Sequence, residues 1–322
     1  MFIFRVFAGI ILSTLLAGSP VWGQRAIPVS IFNRGNAAAP EFTSRDFTGS
    51  FKGKSVHVNS IIPDPGPRRV IILLDISGSM LGSTTDADWN FPLDIAEILL
   101  VKMPPNTQIG LAVFATELGH VVALTNDRKK LNQELEVVRK SRWQFGDRNT
   151  AIWDAILAGA KMFDSPQVGD ALYLITDGFD NKSEHSAQNA VQELFCNGIR
   201  LFPFVLADRR KTDHEIRPSS FSAHLKLTDM ATDTGGLSAT AMRPSSSDFQ
   251  KWEFVDKSGN PTELTASLFA QYQQILNVYR MSIDIPGGLE KPEAWHLDFD
   301  GLGKSARSNL LLLYPQKIAS CP

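Results

Sequence analysis

Two rhythms of hydrophobic and polar positions divide the chain. An unbroken apolar stretch, Val70-Ile71-Ile72-Leu73-Leu74, fills Arg69–Ile76, and Ala171–Thr176 repeats the pattern. Continuous apolar runs of this length predict strands buried on both faces. Around them the spacing changes to i, i+3, i+4. Ile152, Ala155, Ile156, Gly159, Ala160 and Phe163 fall on one helix face, and Leu264, Leu268, Tyr272, Ile275 and Tyr279 define a last amphipathic helix. Leu93–Met103, Arg128–Val138 and Ser186–Cys196 predict three more helices. Gln108–Ala115 and His120–Thr125 read as a strand pair, and Arg200–Ala207 as a further strand. Strands alternating with helices predict an α/β fold with a mostly parallel sheet and helices on both faces. Asp208–Phe221 and Arg243–Phe249 are polar and rich in turn formers, and read as loops.

The chain ends follow the second rhythm. Ile27–Phe32, Phe47–Phe51 and Ser55–Ile61 read as short strands, with turns at Asn33–Asn36 and Lys52–Lys54. Pro63-Asp64-Pro65-Gly66-Pro67 is a stiff linker that neither a helix nor a central strand could contain. Strand-like text returns in Met281–Ile285, Ala294–Phe299 and Asn309–Leu313. Residues 24–67 and 280–322 are therefore expected to pair as a small β-rich unit built from both chain ends, with residues 68–279 as the α/β body.

Residues 1–23 stand apart. Arg5 is their single charge, Val6–Ala17 is apolar but too short to span about 30 Å of hydrocarbon as a helix, and Gly18-Ser19-Pro20 follows. The layout predicts a secretory signal peptide cleaved after Gly23, placing the protein in the periplasm, on the cell surface or outside the cell. No second long apolar stretch follows. The 322 residues carry 32 basic and 34 acidic side chains. A charge this near neutrality provides no basic field for a nucleic-acid backbone. Cys196 and Cys321 are too few for a zinc cluster, and their state stays open between a mutual disulfide, two free thiols and an intermolecular link.

Oxygen-bearing side chains collect at the predicted strand ends. Asp75, Ser77 and Ser79 leave the first buried strand at i, i+2 and i+4, with Gly78 easing the bend. Asn149-Thr150 opens a helix, and Asp177-Gly178 closes the second buried strand. Ligands of open α/β sheets gather beyond the carboxyl ends of neighbouring strands, where the strand order reverses. If the two strands are neighbours, Asp75, Ser77, Ser79, Thr150 and Asp177 converge. Two carboxylates and three hydroxyls suit a hard cation such as Mg²⁺, and the same oxygens admit Mn²⁺ or Ca²⁺. Asp154 reads as a structural hydrogen-bond acceptor beside the site, and Asp180-Asn181 as a solvated turn. His296, Asp298 and Asp300 read as the exposed face of a strand, and Asp213-His214-Glu215 as a solvated charged loop.

Asp75-Ile76-Ser77-Gly78-Ser79-Met80, the Thr150 helix start and Ile175-Thr176-Asp177-Gly178 together resemble the three metal-site segments of von Willebrand factor type A (VWFA) domains. The resemblance covers roughly Arg69 to Tyr279. It implies a Rossmann-like, doubly wound sheet with a metal-ion-dependent adhesion site. Ser77, Ser79 and Thr150 would touch the metal there, with Asp75 and Asp177 acting directly or through water. Asp46-Phe47 and Gly53-Lys54 add a narrower likeness to the secreted VWFA-related family first catalogued in acidobacteria.

These readings converge on a secreted binding module, not an enzyme, which captures a protein partner's Asp or Glu carboxylate through the cation. One alternative is a secreted metal-dependent hydrolase in which the cation activates water. Another is a structural envelope component. No Gly-x-Ser-x-Gly, His-Glu-x-x-His or phosphate-loop motif supports catalysis. The signal reading carries its own test. N-terminal sequencing of protein from the native host is expected to start at Gln24, and recovery of Met1 would refute cleavage.

Overall fold

The computed structural model describes residues 22–33, 41–81, 86–141, 149–208, 218–243, 263–286, 292–302 and 309–319, with Leu289, Arg307 and Cys321. The chain begins with β1 (Trp22–Asn33), β2 (Phe47–Phe51), β3 (Lys54–Val56) and β4 (Val58–Pro63). The α/β body opens with β5 (Arg69–Asp75), α1 (Gly78–Leu81), α2 (Asp86–Lys102), β6 (Gln108–Phe114) and β7 (Leu118–Thr125). It continues through α3 (Arg128–Lys140), α4 (Ile152–Lys161), β8 (Ala171–Thr176), α5 (Ala187–Cys196) and β9 (Arg200–Asp208). It closes with α6 (Pro218–Asp233), β10 (Ala239–Arg243) and α7 (Glu263–Leu276). The remaining strands are β11 (Val278–Pro286), β12 (Glu293–Ala294), β13 (His296–Phe299), β14 (Leu310–Leu313) and β15 (Lys317–Ile318).

Six strands form the central sheet in the order β10-β9-β8-β5-β6-β7, parallel except for the β6–β7 hairpin. The pleat of β5 shows why its text is apolar throughout. Val70, Ile72 and Leu74 face one core with residues of α2, α3 and α7. Ile71 and Leu73 face the other, with residues of α4, α5 and α6. Both sets are removed from water, so no position from Val70 to Leu74 tolerates a polar side chain, and the next residue is Asp75. Successive connections leave β5 toward β6 on one side and return to β8 on the other. The strand order reverses between β5 and β8, which is the Rossmann-like, doubly wound arrangement.

The chain ends pair. β1 lies antiparallel between β11 and β14, and β11 also pairs with β4. β13, β2 and β3 form a second sheet. Ile27, Val29, Met281 and Ile283 of the first sheet share one core with Phe47, Phe51, Leu297 and Phe299 of the second. The expected single strand Ser55–Ile61 is divided at His57, because the chain passes there from the second sheet to the first. His296 is exposed while Leu297 and Phe299 are buried, giving the alternation expected of that strand.

Several expectations are corrected. Pro218–Phe221, read as loop, opens α6, whose Leu227, Met230 and Ala231 are buried. Arg243, also read as loop, ends β10; residues 209–217 and 244–249 lie outside the described residues, as do residues 1–21, 34–40 and 213–215. Trp22 and Gly23 are the first residues of β1. Helix α2 starts before Pro92 rather than after it, and Phe91 is buried with its ring centroid 6.2 Å from that of Phe204. Tyr279 is not on the last helix but in β11, opposite Val29 and Pro63.

Helix α7 stops where two guanidinium groups take its last carbonyls. Arg200, fully buried, donates to the carbonyls of Gln274 (2.7 Å) and Ile275 (3.3 Å), to Gly169 (2.9 Å) and to the Ser30 hydroxyl (3.1 Å). Arg68 donates to the Leu276 carbonyl through Nε (3.0 Å) and Nη2 (2.9 Å). Carbonyls of a helix's last turn lack intrahelical partners and sit at its negative end, so cations are favoured there. Burial pushes the Arg200 guanidinium down to about 9, with Arg68 adding to that and Asp170 and Asp64 opposing it. Arg200 thus joins β1, the start of β9 and the end of α7. At the C-terminal end of α5, Cys196 is joined to Cys321 by a disulfide that closes the alternatives left open above. No described helix is long and apolar enough to cross a membrane.

Two outcomes follow for stability. Arg200→Met keeps bulk but strands buried carbonyls, and is expected to lower the unfolding free energy by about 3 kcal/mol in urea titrations. An unchanged midpoint would show that the junction does not depend on this cation. Cys321→Ser opens a link spanning 125 residues and is expected to cost roughly 2–5 kcal/mol, read in the same titration.

Candidate functional site

Hydrogen bonding fixes the candidate residues at the carboxyl edge of the central sheet. Leu74 is paired with Ile175, so Asp75 and Asp177 emerge side by side from adjacent parallel strands. Asp75 is fully buried. Its Oδ1 accepts from the Ser77 N–H (2.9 Å), and its Oδ2 from the Thr176 hydroxyl (2.6 Å). Thr176 Oγ1 in turn accepts from the Gly178 N–H at 3.0 Å. Gly178 has φ +81°, a conformation that favours glycine, and lets the chain turn immediately after Asp177. Ser77 is buried, Ser79 is exposed on the first turn of α1, and their hydroxyls lie 3.3 Å apart.

Thr150 reaches the same edge through its backbone. Its N–H donates to Asn181 Oδ1 (2.9 Å), while its carbonyl accepts from the N–H groups of Asn181 (3.0 Å) and Lys182 (3.1 Å). The next residue, Ala151, donates to the Ala115 carbonyl just beyond β6 (2.8 Å). Thr150 is thereby laced both to the loop that carries Asp177 and to the strand beside Asp75, and it is buried. All five candidate residues are brought to one edge by three separate stretches of chain.

The site's electrostatics favour a positive charge between its two acids. Burial, and then the neighbouring charge of Asp177, push the Asp75 carboxyl up to about 7, against the lowering effect of its hydrogen bonds. Two acids in one low-dielectric recess repel each other, and a cation between them removes that penalty. The donor set, two carboxylates and three hydroxyls without nitrogen or sulfur, fits a hard divalent cation. Among the described residues, no group of three or more His, Cys, Asp or Glu side chains is placed to hold a metal.

Asp180, Asn181 and Ser183 serve a purpose that the sequence did not suggest. Asp180 and Asn181 do lie in a loop after the strand, with Asn181 exposed, but their side chains are engaged. Asp180 Oδ1 accepts from the Ile152 N–H (2.7 Å), and the Ser183 hydroxyl from the Trp153 N–H (3.0 Å). These are orphan donors of the first turn of α4, captured from a distant loop because the local N-cap, Ala151, has no side chain to do it. The missing cap at Ala151, beside the run Asp180-Asn181-Lys182-Ser183, was the available signal. Asp154 is a structural acceptor, taking N–H bonds from Glu184 (2.7 Å) and His185 (3.0 Å) and the His185 Nδ1–H (2.8 Å). Burial works against its carboxylate, but these donors outweigh it and hold Asp154 below the usual range.

The family model described as the von Willebrand factor type A domain matches residues 70–231, half of the chain. Comparison with curated proteins finds no match. Among solved structures, the conserved hypothetical protein BatB from Bacteroides thetaiotaomicron is 21% identical over 56% of this chain and 93% of its own, with a TM-score of 0.43. A von Willebrand factor type A protein from Catenulispora acidiphila is 11% identical over 89% of this chain and 72% of its own, at 0.44. Proximal thread matrix protein 1 from the mussel byssus, solved with zinc in its MIDAS motif, is 14% identical over 70% of this chain and 49% of its own, at 0.47. These three likenesses are distant, and the assignment rests on the family model. The chain belongs to the von Willebrand factor type A domain family.

Proposed function

We propose that the protein is a secreted, divalent-cation-dependent binding module that captures an acidic group of a protein partner. The observation that carries this reading is the fully buried Asp75 set beside Asp177, with hydroxyls close by and a raised carboxyl pKa. Asp75, Asp177, Ser77, Ser79 and Thr150 would hold the cation, Mg²⁺ in first place. When bound, the cation supplies an electrophilic site for an outside carboxylate, since only two protein charges oppose it. The protein's own part is positional: Thr176 and the Ser77 N–H orient Asp75, and Asn181 holds Thr150. Members of this family are mostly binding modules, which agrees with that role.

Binding is favoured over hydrolysis by the use of the nearby groups. Both carboxylates belong to the donor set, so neither is free to act as a general base. The backbone of His224 passes close to Gly178, yet its imidazole meets the Thr240 hydroxyl (3.2 Å). Export is supported by the Cys196–Cys321 disulfide, since such bonds persist in oxidising compartments. The β-rich pairing of residues 24–67 with 280–322 supports a body of residues 68–279 carried on a separate base, consistent with the secreted VWFA-related likeness.

Calorimetric titration with Mg²⁺ tests the reading. The chain is expected to bind the ion and to melt higher in its presence, by the equivalent of about 2.7 kcal/mol at a hundredfold excess over Kd. Asp75→Asn should abolish Mg²⁺ binding and yet raise the melting temperature of the metal-free protein at neutral pH, because it removes a buried carboxylate opposed by Asp177. Thr150→Ala should weaken binding, and Thr150→Ser, which keeps the oxygen, much less. An Asp75→Asn protein that titrates like the parent would overturn the assignment.

A further inference from the structure

Beside the candidate site lies a groove of about 720 Å³ between α4, α5 and the turn joining β6 to β7. It begins at Ala151, next to Thr150, and reaches Cys196 at the far end of α5. Alanines 151, 155 and 158 line it along α4, where larger side chains would fill the space. Lys182 marks the junction with the site, since its N–H donates to the Thr150 carbonyl at 3.1 Å.

The groove is set before any ligand arrives. Asp154 holds the backbone of Glu184 and His185 against α4, while Asp180 and Ser183 fix the same loop to the first helical turn. A wall fixed in this way loses little entropy on binding. Its charge is lopsided, with Glu117, Asp154, Glu184 and Glu193 opposed by Lys161 and Lys182. Asp154 is engaged within the loop, and Glu193 accepts from Asn197 at 2.9 Å. The carboxylates of Glu117 and Glu184 have no ion-pair partner among the described residues.

We propose that this groove receives the stretch of the partner flanking its metal-directed acidic residue, and that this stretch is an extended peptide bearing arginine or lysine. The inference rests on the metal-capture reading above and names the partner's chemistry. Helix α4, at 10 residues, gives the groove a length of about 15 Å, room for four to five extended residues. Side chains two and four places from the acidic residue then project to the same side, within reach of Glu184 and Glu117.

The test uses the peptide Arg-Gly-Arg-Gly-Glu-Gly-Arg-Gly-Arg, symmetric about its glutamate so that chain direction is immaterial, and its counterpart with serine at every arginine. Both are fluorescently labelled and titrated with the full chain in Mg²⁺. The arginine peptide is expected to bind about tenfold more tightly, through two partly exposed charge pairs. The double variant Glu117→Gln, Glu184→Gln should lose that preference while its Mg²⁺ titration is unchanged. Glu136→Gln on α3, outside the groove, should keep it. Equal affinity for the two peptides, including none for either, with Mg²⁺ still bound would overturn the inference and leave the metal reading intact. A preference that survives in the double variant would reduce it to general attraction and overturn it as well. Arginine-peptide binding undiminished in Asp75→Asn would refute the flanking role. Failure of Mg²⁺ to bind the parent chain would instead strike the metal reading itself.

Discussion

A strand buried on both faces that must end in an acid sets the terms for this molecule. β5 has no solvent side, so every residue from Val70 to Leu74 is apolar and fully covered, and two separate cores depend on its being there. Asp75 is the first polar group after that apolar run and is already out of reach of water. It is tolerated because the Thr176 hydroxyl on the neighbouring strand and the Ser77 N–H in its own loop donate to it, and the Gly178 N–H in turn donates to Thr176. The reversal of strand order between β5 and β8 adds Asp177 beside it. Packing, topology and chemistry meet in one carboxyl group.

At the other end of the sheet the constraint has the opposite sign. Arg200 is the buried cation there, and it is tolerated because the carbonyls ending α7 have no other partners. Arg68 with Asp64, and Arg69 with Asp170, complete a charged layer between the central sheet and the β-rich base. Each end of the sheet thus buries ionised or ionisable groups under hydrogen bonds that cross from one stretch of chain to another. The apolar middle supplies burial, and the polar ends supply register.

What could be read in the sequence follows that division. Strands β5 and β8 were legible because burial on both faces leaves an unbroken apolar run, and α4 because Ile152, Ala155, Ile156, Gly159 and Ala160 keep a strict helical face. The gathering of Asp75, Ser77, Ser79, Thr150 and Asp177 was legible from strand ends and the rule for open sheets. Helix α6 was not, because it opens with Pro218-Ser219-Ser220 and turns Leu225 toward solvent, so few positions mark its buried side. The end of α7 was not, since Tyr279 continues the helical spacing and the stop comes from Arg68 and Arg200, far away in sequence. The break at His57 reflects a change of sheet, which periodicity within one strand does not register. Asp180 and Asn181 looked like loop residues because the helix they cap lies some thirty positions earlier.

The placement of the two poles has a mechanical consequence. Both chain ends are woven into the base, with β1 held between β11 and β14, while the candidate site opens at the opposite edge of the central sheet. A pull between a captured partner and an anchored base would run along the axes of β5, β8 and β9. Load applied at the candidate site would reach the base along the covalent backbones of these strands.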